Sequence, residues 1–291
     1  MKKFLYIILF LLITTSIFNK SFGQRNEIGI TGGITYYLGD LNPSKHFLLS
    51  KPAGGIIYRY TLNERWAIKM NGIYGTLQGD DAKSKFNTAR NLRFKSSLLE
   101  FSPQLELNFL SYKTGNSKED YFTPYVFAGI SVFSFNPKAE FNGEWYELKP
   151  FGTEGQGTSV SDLKPYSLTT ISFPFGIGFK YSIGELICAG MEWGMRKTIT
   201  DYIDDVSTKY PDTELLKAEN GEIAAYFSDP SINELGQPND HVGTQRGNSK
   251  TKDWYAYTGL FITFKIKTKA NTSCPAYGTK YKKYKDFLKK D

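Results

Sequence analysis

The sequence is short of cysteine and histidine, with two of each in 291 residues. Two cysteines cannot form a disulfide framework or a Cys-rich zinc site, and two histidines leave little for histidine-based catalysis or metal binding. Beyond residue 23 there is no apolar run near the roughly 20 residues that a membrane-spanning helix needs, and mean hydropathy is −0.38. A helical membrane protein is therefore excluded. A membrane β-barrel is not, because its alternating strands average to near neutral. What the chain has in quantity is aromatic residues and glycine: 20 Tyr, 22 Phe and 27 Gly.

The one long apolar run opens the chain. Lys2 and Lys3 precede an apolar core from Phe4 to Ile13, which decays to Ser21-Phe22-Gly23. A basic start, an apolar centre and small residues before a cut are the form of a secretory signal peptide. Cleavage after Gly23 is expected, leaving Gln24 first. No Cys follows the run, so lipid anchoring at that point is not expected.

Eight later segments alternate with a period of two. In residues 99–109 one face carries Leu99, Phe101, Pro103, Leu105, Leu107 and Phe109, the other Glu100, Ser102, Gln104, Glu106 and Asn108. That contrast marks a strand rather than a helix. Residues 171–181 repeat it, and in 187–197 Ile187, Ala189, Met191, Trp193 and Met195 oppose Cys188, Gly190, Glu192, Gly194 and Arg196. Residues 28–38, 54–60, 66–76 and 254–266 follow the same rule, whereas 122–133 is apolar on both faces and its orientation stays open. The longer segments suit tilted membrane strands of about 9–11 residues rather than the usual 5–6 of a soluble sheet.

The bulky face must be the outer one. The opposite face is rich in Gly, Ser and Thr, as the narrow interior of an eight-stranded barrel requires. It also carries Arg59, Lys69, Lys180 and Arg196 with Glu100, Glu106 and Glu192. An unpaired buried charge is costly, so these groups are expected to pair across the lumen and plug it. Trp66, Tyr181 and Trp254, at segment ends, fit an aromatic girdle. Links alternate in length: 61–65 and 182–185 are short and 110–121 modest, whereas 39–53, 78–93, 134–167 and 198–253 are long. Short periplasmic turns and long external loops are the habit of outer-membrane barrels. The expectation is an all-β, eight-stranded antiparallel transmembrane barrel over residues 24–266, with both termini periplasmic.

Residues 267–291 read as a separate basic tail. From Lys265 to the end there are nine Lys and two Asp, a charge suited to an acidic protein surface or peptidoglycan. Lys280, Lys282, Lys283, Lys285, Lys289 and Lys290 are its candidate partner-binding residues. The segment 198–253 has the opposite sign, with eleven acidic against five basic residues. Asp201, Asp204 and Asp205 supply oxygen ligands of the kind calcium takes, but their spacing matches no calcium loop. An acidic, solvated loop is the expectation there.

Catalytic signals are thin. A Ser/His pair on the barrel wall would suit a lipid-modifying enzyme, but His46 and His241 both fall in loops. Gly176-x-Gly178 and residues 152–157 lack the strand-to-helix context of a phosphate loop. Cys188 and Cys274 fall near one end of adjacent strands, which leaves a disulfide open in an oxidising compartment. No enzyme activity and no cofactor are expected.

Several separated motifs resemble one family. They are Gly39-Asp40-Leu41-Asn42-Pro43, Pro52-Ala53-Gly54 with Tyr58-Arg59-Tyr60, Arg90-Asn91-Leu92, Phe122-Thr123-Pro124-Tyr125 and residues 152–157. Residues 192–198, Asp201-Tyr202, Asp204-Asp205-Val206 and Asp253-Trp254-Tyr255 add to them. Together they are similar to the PorG-like outer-membrane barrels of Bacteroidetes. That resemblance implies a component of the type IX protein secretion machinery, partnered by the periplasmic ring of a lipoprotein and its companion. It brings no catalytic residues. A stand-alone small pore or surface-binding barrel is the other reading.

Overall fold

All eight alternating segments form β-strands in the computed structural model, which describes residues 26–115, 119–231 and 241–266. The expected signal peptide and basic tail, residues 1–23 and 267–291, lie outside the described residues. Among those described, no helix is long and apolar enough to cross a membrane.

The strands are β1 (Asn26–Leu38), β2 (Lys51–Thr61), β3 (Trp66–Asp80), β4 (Arg93–Asn108), β5 (Phe122–Gly129), β6 (Ser131–Phe141), β7 (Glu144–Glu147), β8 (Thr169–Ile183), β9 (Ile187–Thr198) and β10 (Trp254–Lys265). Each pairs antiparallel with its neighbours, and the pairing of β1 with β10 completes a ring. β5 and β6 act as one barrel strand. Both lie between β4 and β8, and the register is unchanged from Gln104↔Gly129 to Phe101↔Val132. The single gap at Ile130 has a cause in the neighbours. In that register it faces Pro103 on β4, while Pro174 on β8 faces the preceding Gly129, and proline has no N–H to give the ladder. β7 pairs only with β6, as a hairpin standing beyond the wall. Eight strands therefore close the barrel.

Most strands outrun the sequence periods that reveal them, chiefly toward the long loops. β3 continues to Asp80, β4 begins at Arg93 instead of residue 99, and the β5–β6 strand reaches Phe141 instead of residue 133. In these extensions the outward side chains are polar, as at Arg93, Lys95, Ser97, Asn136, Lys138 and Glu140, and the inward ones mostly apolar, as at Phe94, Leu98, Phe135 and Ala139, so the apolar-outward pattern ends while pairing persists.

Face assignment follows the expected inversion. Phe101 and Phe173 are 56% and 45% exposed on the outer wall, in company with Ile30, Ile56, Tyr74, Ile177, Leu260 and Phe264. Trp193, on the same face, is half-buried. The open orientation of residues 122–133 resolves with Phe122, Pro124, Val126 and Val132 outward, and Thr123, Tyr125, Phe127 and Phe133 inward. A water-soluble barrel would present the reverse.

Candidate functional site

The lumen is built by fitting large rings over small residues. A Cβ on Gly178 would lie 2.3 Å from the Tyr125 ring, and one on Gly194 would lie 2.6 Å from the Phe127 ring. Inward glycines on β8 and β9 thus leave room for aromatics reaching across from β5. Among these rings sit all seven charged residues expected to line the lumen.

Glu106 is their centre. It accepts from Arg59 Nε at 2.9 Å and Lys180 Nζ at 2.7 Å, with Lys69 Nζ at 3.5 Å. Lys69 also pairs with Glu192, and Arg196 Nε with Glu100 at 3.2 Å. Arg59 carries a further partner, Glu27, at 2.8 Å. Glu27 was missed in the sequence because it lies at the very start of β1, before alternation becomes visible. With it the lumen holds four cations and four carboxylates. Hydroxyls add to the shell: Thr263 and Thr114 donate to Glu27, Tyr255 and Ser102 to Glu100, and Tyr125 to Glu192. Among the described residues, Glu192 Oε1 and Arg196 Nη2 have no hydrogen-bond partner. The cations also lie over aromatic faces, Lys69 at 4.2 Å from the Phe127 centroid and Arg59 at 5.1 Å from that of Phe261. Arg59, Lys69, Glu106, Lys180 and Arg196 are all at most 1% exposed, so no water-filled channel runs past them.

Toward the long loops the charges give way to an apolar layer. Tyr37, Leu77, Phe94, Leu98, Phe133 and Phe135 pack with Ile203 and Val206, which reach in from the 199–253 segment. That segment is not the solvated loop its composition suggests. Asp201, Asp204 and Asp205 are buried, because each finds its own donor. Ser207 donates to Asp201 at 2.7 Å, Tyr37 and the Val206 amide to Asp204, and Thr153 and Tyr166 to Asp205. The three carboxylates turn to different partners, and among the described residues no group of His, Cys, Asp or Glu is disposed to hold a metal ion. Burial pushes Asp201 and Asp205 up to about 6. Asp204 and Asp253 are raised well above the usual carboxylate range, by burial first and then by neighbouring carboxylates.

The motifs behind the family resemblance meet in this layer. Glu154 accepts from the amides of Ser207 and Thr208, the Thr208 hydroxyl and Arg246 Nη1. Arg90 forms a bidentate pair with Asp81 and donates to the backbone carbonyls of Asp40 and Arg246. Gln156 donates nothing to a phosphate-like cradle; its Oε1 instead accepts the Glu154 amide. Residues 40, 90, 154, 205 and 246, far apart in sequence, form one hydrogen-bonded lid.

His241 is not as isolated as its loop position suggested. Its Nδ1 lies 2.9 Å from Asp229 Oδ2 and 3.0 Å from Ser231 Oγ. A catalytic relay uses one ring nitrogen for the orienting carboxylate and the other for the nucleophile. Here both partners share Nδ1, and Ser231 is 2% exposed, so the trio ties the loop together. Cys188 lies buried in the lumen beside Phe261; Cys274, its possible disulfide partner, lies outside the described residues, as do the six tail lysines.

A family profile described as "Domain of unknown function (DUF6089)" matches residues 2–227. Among curated proteins, none matches the sequence. Solved structures with a similar fold include Neisserial surface protein A, 8% identical with a TM-score of 0.41, covering 84% of this chain and 100% of that one. The attachment invasion locus protein Ail of Yersinia pestis, in complex with the heparin analogue sucrose octasulfate, is 7% identical with a TM-score of 0.40 and the same coverage. The N-terminal β-barrel domain of Pseudomonas aeruginosa OprF is 13% identical with a TM-score of 0.34, again over 84% and 100%. These likenesses carry no functional inference.

Proposed function

The chain belongs to the DUF6089 family, and on that premise we propose that it is a non-enzymatic barrel of the bacterial outer membrane, working through its two ends and not through its lumen. The observation that carries this reading is the closed interior: a neutral plug of ion-paired side chains under an aromatic layer, inside a wall whose exposed face is apolar. Such an outer face is stable only against hydrocarbon, and such a lumen offers no path for solute.

We further propose that both termini face the periplasm, where the basic tail meets an acidic partner. The resemblance to PorG-like barrels supports a place in type IX protein secretion, with the barrel anchoring the periplasmic ring of a lipoprotein and its companion. The lid of buried loop residues favours a second reading, a stand-alone surface-binding barrel. The two separate on one experiment. Deleting residues 267–291 is expected to leave membrane insertion intact and to abolish co-purification with the ring proteins from native membranes. Undiminished recovery of the ring would count against tail-mediated anchoring, and failure of the full-length chain to retrieve any ring component would favour the second reading.

A further inference from the structure

A cavity of about 770 Å³ lies where the lid meets the outer wall. Its size suits a small-molecule or headgroup ligand. Its two sides differ in chemistry. The floor is Leu38, Met195 and Trp254, which belong to a largely buried apolar cluster on the outward side of the strands with Tyr36 and Trp193. That floor runs into the apolar belt, because the Trp254 ring stands edge-on to exposed Phe175 at 6.0 Å. The back is the Arg90 knot, whose hydrogen bonds hold the Asp40 and Arg246 backbones in place. The one carboxylate lining the cavity, Asp40, already accepts the Asn248 amide with both oxygens, at 3.1 and 3.0 Å.

Two cationic or donating groups at the lip are exposed and have donors to spare. Lys252 Nζ gives one hydrogen to the Ser249 carbonyl at 3.1 Å and keeps two. His46 is set by a relay. Trp193 Nε1 donates to the Tyr36 hydroxyl at 3.1 Å, and that hydroxyl lies 3.1 Å from His46 Nδ1 but 3.9 Å from Met195 sulfur. The Tyr36 hydroxyl thus holds the imidazole through Nδ1, and a ring protonated on Nε2 has a donor to give a phosphate. The loop bearing His46 is held against the wall, with the Phe47 ring 4.8 Å from Tyr36 and Phe47 at φ 63°, a conformation that bulky residues avoid. Lys197 adds another positive charge nearby, 5.5 Å from the Trp254 ring.

From this arrangement we propose that the cavity holds the phosphorylated head of a membrane lipid, with Lys252 and His46 Nε2–H on the phosphate and the acyl chains running over Met195 and Trp254 onto the outer wall. A free anion has no use for the apolar floor, and an uncharged lipid has none for the lip. This inference rests on the membrane reading above.

The test uses the full chain, delipidated in neutral detergent, with native mass spectrometry counting bound ligand. Dioleoyl phosphatidic acid is expected to fill one site at least ten-fold more tightly than dioleoylglycerol or inorganic phosphate. Lys252→Glu should weaken that binding ten-fold or more, His46→Ala several-fold, and Lys252→Arg should restore it, while exposed Lys250→Glu leaves it unchanged. Equal binding of dioleoylglycerol, tight binding of phosphate alone, a lipid-independent dimer occupying the face, or equal losses in Lys252→Glu and Lys250→Glu would each overturn the proposal. Flotation with zwitterionic vesicles tells the two readings apart. A chain that floats but shows no phosphatidic acid site refutes the cavity assignment alone, whereas one that does not float refutes the membrane reading beneath it.

Discussion

Glu106 carries the heaviest electrostatic duty of any single residue here. Three cations converge on it at 3.5 Å or less, all of them shielded from water. Breaking a buried pair by removing one partner typically costs about 3–5 kcal/mol, because the remaining charge keeps its desolvation penalty and loses its compensation. Glu106→Gln is therefore expected to destabilise the folded barrel by at least that order, read as a lower urea midpoint in lipid vesicles. Glu27→Gln strips only Arg59, which retains Glu106, and should cost less. Equal midpoints for wild type and Glu106→Gln would show that the lumen charges do not depend on this centre. The seven expected lumen residues were legible because each alternates with a bulky neighbour. Glu27 was not, since Asn26 before it is polar and gives no contrast.

At the scale of elements, the strands were read from their periods and the loops were not. Residues 199–253 are acidic in sequence and hence look solvated, but Asp201, Asp204 and Asp205 are buried against Tyr37, Thr153, Tyr166 and Ser207. No local pattern encodes most of those donors: Tyr37 comes from β1 and Thr153 and Tyr166 from the 142–168 connection, and only Ser207 is local. The burial has a pH consequence. Asp201 and Asp205, raised to about 6, bind protons in the folded lid that the unfolded segment has already released above its ordinary value near 3.9. Their contribution is thus fully favourable below about pH 4 and is lost as pH rises through about 6. Hydrogen exchange in residues 199–231 should accordingly quicken between pH 4.5 and 7, once corrected for intrinsic rate, and Asp205→Asn should flatten that rise. Protection that grows with pH over this window would contradict the burial.

For the whole molecule, ring closure and the neutral plug together decide what the barrel does. A closed eight-stranded wall leaves no free sheet edge, and its lumen is narrow enough for side chains to fill. Reconstituted in planar bilayers, the protein is expected to give no steady, large conductance at physiological salt. A stable open level would require a continuous water path past Glu106 and Phe133, which the packing does not offer. Strand order, strand count and the inside-outside assignment of all segments but 122–133 needed only the sequence, because alternation is a local property and lipid solvation inverts it along the membrane-facing part of each strand. Which cation meets which carboxylate, how five distant residues knit one lid, and where a cavity opens beside Trp254 depended on closure, since only the ring brings residues 32 to 156 positions apart within a hydrogen bond of each other.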